Sequence, residues 1–198
     1  ITNYAATILK VSSTVSWDLY AVGRSSGSTA PGFWDQQIDY GGNNNNAIDE
    51  LPLSLLELRQ SQPNSGDDAA TGTFSDYSAA FSPNGVVSAR NSLFTNSDGS
   101  ITAPTAVDKY IAGHAGTTGV SGDDFMSGGS YMTQNGTTSD YYYAMDYRIL
   151  PGLPATFPNA ASADAATAQD IVTSNAAGNY AEPGVYTMYV QYVLLEDQ

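Results

Sequence analysis

The chain has no cysteine and only one histidine in 198 residues. The first absence removes disulfides, thiolate nucleophiles and cysteine zinc sites together. The second forbids any multi-histidine metal site and leaves a Ser-His-Asp hydrolase no choice but His114. Positive charge is as scarce. Six Lys+Arg stand against 20 Asp+Glu, for a net charge of −14. The six, Lys10, Arg24, Arg59, Arg90, Lys109 and Arg148, are scattered singly. Phosphate backbones and anionic membrane surfaces are gripped by clustered cations, so nucleic-acid binding and membrane-surface docking are disfavoured. No apolar run approaches the ~20 residues that span a bilayer, so no membrane insertion is expected. The longest, Tyr192-Val193-Leu194-Leu195, belongs to a strand pattern. Charge of either sign is thin, at 13% of residues, against ~25% in an average domain.

What is present is enough apolar material for a core, 41% of the chain, with 14 tyrosines. The length suits a single domain over residues 1–198. The start at Ile1, with neither Met nor a signal sequence, suits a processed, exported protein. Alternation is the dominant period, and it marks strands buried on one face. Val15, Trp17, Leu19 and Ala21 fall on one side of one such run. Tyr141, Tyr143, Met145, Tyr147 and Ile149 share a side of another, with Asp146 and Arg148 opposite. Tyr186, Met188, Val190, Tyr192 and Leu194 share a side of the closing run, 185–195. Further strands are predicted at 6–12, 53–58, 85–89 and 110–112. One short helix is predicted over 162–172, where alanine is abundant and Asp164 stands near the start. Long Gly/Asn/Ser/Asp stretches at 23–32, 41–46, 64–72, 96–100 and 113–135 read as elaborated loops. The fold class is therefore all-β: an antiparallel β-sandwich of Ig-like or jelly-roll type, with long loops and at most one short helix.

The motifs that could carry chemistry each meet a plainer reading. Gly23-Arg24-Ser25-Ser26-Gly27 matches the G-x-S-x-G string of a nucleophile elbow. That device needs a strand turning sharply into a helix, and Ser28-Thr29-Ala30-Pro31-Gly32 follows instead, which is loop chemistry. His114 lies in a small-residue loop, where a solvated imidazole is the simpler account. The pairs Asp49/Glu50, Asp67/Asp68 and Asp123/Asp124 could serve glycoside hydrolysis only at the right separation across a sugar, which spacing in sequence does not show. The loops at 64–68, 96–100 and 121–124 have oxygen ligands that suit a structural Ca²⁺, but none has EF-hand spacing, and solvated turn acids fit as well. No other cofactor is expected, nor any enzyme activity. Trp34, beside Phe33 in a loop, and the Tyr141-Tyr142-Tyr143 cluster are candidates for stacking on a surface glycan; a loop plug or a subunit contact is the alternative. Trp17 is on the inward phase and reads as core. Asn135-Gly136-Thr137 is a glycosylation sequon.

Two blocks at the chain ends carry a resemblance. Leu9-Lys10-Val11-Ser12-Ser13 leads into Trp17-Asp18-Leu19-Tyr20-Ala21-Val22 and then Leu51-Pro52-Leu53-Ser54-Leu55-Leu56-Glu57-Leu58-Arg59. Tyr143-Ala144-Met145-Asp146-Tyr147-Arg148-Ile149 precedes Pro183-Gly184-Val185-Tyr186-Thr187-Met188-Tyr189-Val190-Gln191-Tyr192-Val193-Leu194. In this order they resemble the secreted β-sandwich surface and filament subunits of Bacteroidota. The closing strand is also similar to those of spore-coat U-type and chaperone–usher pilin subunits. The match covers about half the chain and leaves out its loop-rich middle.

The resemblance implies an extracellular filament, pilus or adhesive coat, located at the cell surface, and it transfers no catalytic residue. One departure sharpens it: such families usually have another strand before the block at Leu9, and here only residues 1–6 precede it. A sheet short of an edge strand is a template for another chain. Donor-strand complementation by a neighbour would complete it, and a head-to-tail contact of that kind builds a filament. Residues 1–9 are the candidate exchanged strand, with Ile1, Tyr4, Ile8, Leu9, Val11, Tyr189 and Val193 as candidate polymer-interface residues; extension of the C-terminal strand into a neighbour, or an ordinary first strand within one subunit, is the alternative. The expected partner is a second copy of the chain, in a homopolymer. A monomeric adhesin or carbohydrate-binding module using Trp34 and surface glycans, and a viral capsid or fibre jelly roll, stand as other readings.

Overall fold

The structure is a computed structural model that describes residues 1–11, 17–25, 31–40, 47–48, 51–62, 76–81, 90–105, 109–112, 141–149, 157–158, 168–169, 180–181 and 184–196. In chain order the strands are β1 (Thr2–Val11), β2 (Trp17–Arg24), β3 (Asp35–Asp39), β4 (Ala47–Ile48), β5 (Leu56–Gln62), β6 (Tyr110–Ala112), β7 (Tyr141–Ile149), β8 (Phe157–Pro158), β9 (Ala168–Gln169), β10 (Tyr180–Ala181), β11 (Gly184–Thr187) and β12 (Tyr189–Glu196). The described residues are thus mostly β, and no α-helix occurs among them. Two three-stranded sheets dominate, in the orders β1-β7-β5 and β12-β2-β6, every pairing in them antiparallel. Smaller pairs join β11 to β3, β8 to β9 and, in parallel, β10 to β4.

Both large sheets feed one core. Val11, Leu56, Leu58, Tyr143 and Met145 come from the first, and Trp17, Leu19, Ala21, Ile111 and Ala112 from the second. Trp17 meets Tyr143 edge to face, with ring centroids 6.4 Å apart, a preferred aromatic geometry. The odd-numbered phase of β2 is therefore inward, as the alternation predicts. The even phase is a correction. Tyr20 and Val22 are buried too, in a second cluster with Phe94 and Tyr110, so β2 is covered on both faces. The even positions of β7 differ in the same way: Ala144, Asp146 and Arg148 are buried rather than solvated.

Other boundaries also move. Residues 53–55, expected as strand, form a 3₁₀ turn after an extended Pro52, closed by the Leu55 amide donating to the Pro52 carbonyl. The closing run breaks at Met188, because β11 pairs with β3 and β12 with β2. β3, with its sequence Asp-Gln-Gln-Ile-Asp, has no alternation to reveal it and is extended because β11 lies beside it. Within the predicted helix at 162–172, Ala168 and Gln169 are extended and pair with Pro158 and Phe157; tertiary pairing overrides alanine's helix propensity there. The predicted strand at 85–89 lies outside the described residues.

Candidate functional site

The margins of the two sheets are where this fold can act, and they are finished unequally. Beside β5 runs a strap, residues 91–95. Leu58 donates its amide to the Asn91 carbonyl at 2.7 Å and Leu93 donates to Leu56 at 2.8 Å, with Glu57 bridged to Ser92. The strap then crosses to the second sheet, where the Gly23 amide donates to the Phe94 carbonyl at 2.8 Å. A Cβ at Gly23 would stand 2.8 Å from Leu93 Cδ2, so this close approach requires glycine. Buried polar groups hold the strap down. Lys109 Nζ donates to the carbonyls of Arg90 at 3.0 Å and Ser92 at 2.9 Å, and lies 5.3 Å from the Tyr77 ring centroid. Asn91 Nδ2 donates to the carbonyls of Leu58 and Ala79.

The same half of the first sheet carries a buried ion pair. Glu57 and Arg148 stand directly opposite in the β5–β7 register, and Arg148 Nε donates to Glu57 Oε2 at 2.5 Å. The guanidinium also lies over the Phe81 ring, 4.6 Å from its centroid. Burial pushes the Glu57 carboxyl above the usual carboxylate range, and the hydrogen bond and charge of Arg148 oppose that shift. An ion pair so placed favours one strand register, because a slip leaves a buried charge alone.

The opposite margin is open. Among the described residues nothing pairs with β1 on the side away from β7, or with β12 on the side away from β2. Along these strands Ile1 is 89% exposed, Tyr4 71%, Ile8 54% and Tyr189 61%. Leu194 and Leu195 are exposed as well. A mainly apolar cleft of about 410 Å³ lies among the starts of β1 and β12 and residues of β5, β7 and β11, with walls that include Ile1, Tyr147, Ile149, Trp34, Tyr186 and Val190. A tyrosine pair joins the sheets: the hydroxyls of Tyr147 and Tyr192 are 2.6 Å apart, and Thr7 Oγ1 donates to Tyr147 at 3.2 Å. Burial, together with Tyr147, pushes the Tyr192 hydroxyl well up.

Of the candidate interface residues, Ile1, Tyr4, Ile8 and Tyr189 lie on this open margin. Leu9 packs partly against the shared core, and Val193 against the second cluster. Val11 is buried in the shared core, so it can join a contact between copies only as part of a strand that moves whole. Trp34 lines the cleft while its indole N–H donates to the Pro52 carbonyl at 3.1 Å, which makes it a plug for the loop it follows. Tyr143 is core. Gly23 of the G-x-S-x-G string is explained by the strap, and Ser25 follows the end of β2. In the loop 96–100, Asp98 Oδ1 accepts the Ser100 amide and Asn96 Nδ2 donates to the carbonyls of Ser100 and Thr102. The hydrogen bonds from Ser100 hold Asp98 below the usual carboxylate range, and those of Asn96 close the loop on itself. Among the described residues no group of three or more His, Asp or Glu could hold a metal ion. His114, Asn135, the acid pairs 49/50, 67/68 and 123/124, and the Ca²⁺ candidate loops 64–68 and 121–124 lie outside the described residues. Sequence reasoning missed the strap and Lys109; a lysine ahead of the apolar trio Tyr110-Ile111-Ala112 was the only hint. No helix among the described residues is long and apolar enough to cross a membrane. No protein-family model and no curated protein matches the chain.

Proposed function

We propose that this chain is a structural subunit that polymerises with its own copies through the β1 and β12 margins, as part of an extracellular filament, pilus or surface layer. In this reading the two three-stranded sheets are the layers of a β-sandwich, with the shared core between them and one side left open to a neighbour. The observation that carries it is the open margin itself. Among the described residues, a strand of ten residues and one of eight stand unpaired on their outer sides, bearing exposed Ile, Tyr and Leu beside an apolar cleft. Monomeric proteins blunt such edges with charge, proline or a covering segment; here β1 carries only Lys10 and β12 only Glu196 as charged residues. Strand addition across such edges satisfies the backbone groups of both copies, and a head-to-tail repeat of it extends without closing.

Electron microscopy of the purified chain tests this, with Ile8→Lys and Tyr189→Lys as controls. Polymers that persist in denaturant and are lost in both variants are expected. A wild-type chain that sediments as a monomer up to millimolar concentration overturns the proposal.

A glycan-binding module is the second reading, favoured by Trp34, Tyr147 and Tyr186 along the cleft. Glycan-array binding that disappears in Trp34→Ala would select it.

A further inference from the structure

β1 is attached to β7 in two unequal parts. From Thr7 to Val11 each residue has a β7 partner, Thr7 opposite Met145 through Val11 opposite Tyr141. Thr2 and Asn3 stand opposite Arg148 and Tyr147, and the Ile149 amide donates to the Ile1 carbonyl at 3.0 Å. Between these stretches the register shifts, so Tyr4, Ala5 and Ala6 all face a single β7 residue, Asp146. Ala5 lies in the left-handed region, at φ +48, where a side chain is unfavourable. The ladder cannot serve this bulge, and a side chain does so instead: Asp146 Oδ1 accepts the Ala5 amide N–H at 2.8 Å. Asp146 is only 1% exposed while Ala5 is exposed, so this hydrogen bond ties a surface bulge to a buried carboxylate.

We infer that Asp146 is a latch that holds residues 1–6 against the end of β7, and that its release uncovers a further acceptor edge, that of β7, beyond the outer margins already open. Ile1 and Asn3 line the cleft together with Tyr147 and Ile149. Lifting residues 1–6 therefore opens the cleft and exposes the unpaired edge of β7 in one movement. Residues 7–11 stay anchored by their regular ladder and by Val11 in the core. The occupant that enters is the same segment of a second copy, because the sequence seated there within one chain already fits the site residue for residue. Exchange of an identical element re-forms the same contacts, including the one to Asp146, so the latch governs the rate of exchange and not its direction. Asp146 is a positioning residue in this device.

This inference rests on the strand-addition reading above, and two measurements separate their failures. Amide hydrogen exchange by NMR on the wild-type chain, Asp146→Ala, Asp146→Asn and Ala5→Gly reads the latch directly. In Asp146→Ala, exchange at Ala5 and Ala6 is expected to rise about tenfold while Leu9 and Met145 keep their protection. Asp146→Asn retains an acceptor oxygen and is expected to stay within a few-fold of wild type. Ala5→Gly removes the left-handed strain and is expected to slow exchange at position 5. Unchanged exchange at Ala5 in Asp146→Ala, or an equal rise at every amide, overturns the latch. Native mass spectrometry of mixed light and isotope-labelled copies then reads exchange between chains, which is expected to run faster in Asp146→Ala. If residues 1–6 open locally and no mixed species form, release does not lead to exchange and the inference is overturned, while polymers seen by electron microscopy would leave strand addition at the outer margins standing.

Discussion

At the β5 margin the first sheet is stitched to residues 91–93 by paired backbone hydrogen bonds. At its β1 margin, ten residues of strand meet no further strand among those described. The two ends of one three-stranded sheet thus follow opposite rules. The sealed end is built from buried polar groups and one close approach: Lys109 on two carbonyls, Glu57 on Arg148, and a glycine where Leu93 passes. The open end is built from Ile, Tyr, Thr and Ala with a single lysine. Its apolar side chains are exposed and its bulge is held by one carboxylate. Rigidity at one margin lets the other remain unfinished without loosening the core.

The largest blow to this contrast falls on the strap. Lys109→Met removes a charged donor from two buried carbonyls and should cost about 3 kcal/mol, read as a lower denaturant midpoint. A loss under ~1 kcal/mol would show that the strap holds without its clamp. Next comes alkaline pH. Burial, with Asp18 and Tyr20 nearby, pushes the Tyr110 hydroxyl from 10.0 to about 12. The folded state therefore keeps its proton after the unfolded chain has lost it. Stability from this group is complete below pH 10 and should fall by about 2–3 kcal/mol as pH rises through 12. Thermal melts between pH 8 and 12 measure it, and Tyr110→Phe should flatten the decline in that window. The smallest effect on stability is expected at the open margin. Ile8→Lys should change the denaturant midpoint by less than about 0.5 kcal/mol, although the same substitution is the one expected to abolish polymers. A large loss of stability would mean that the open margin is a structural part of the monomer.

Period-two patterning located the strands with the most alternation. β2, β7 and the closing run are strands as predicted, and Trp17, Leu19, Tyr143, Met145 and Val190 face the shared core, but Ile149 and Leu194, on the same phases at the strand ends, are exposed. The limits of that signal are equally physical. Alternation reports one buried face, so it could not show that Tyr20, Val22, Asp146 and Arg148 are buried on the other. β3 has no pattern of its own, and β9 lies inside an alanine-rich run whose local preference is helical; both are extended because a distant segment pairs with them. The strap left even less trace, since residues 91–95 are held by backbone carbonyls whose partners lie elsewhere in the chain. Of the open margin, Ile1, Tyr4, Ile8 and Tyr189 were candidates from the strand resemblance. The cleft and the bulge at Ala5 left no such trace.

By itself, then, the sequence determined what the chain can do without: disulfides, cationic surfaces, spanning helices and multi-histidine metal sites, each excluded by residues it lacks. It also determined that strands would be the currency of the fold, because short-range alternation is a local property. Only the tertiary structure decided which margins are closed. Edge pairing joins residues far apart in the chain, such as Glu57 with Ser92 or Ala5 with Asp146, and a hydrogen bond between backbone groups leaves no mark on the identity of the side chains that flank it.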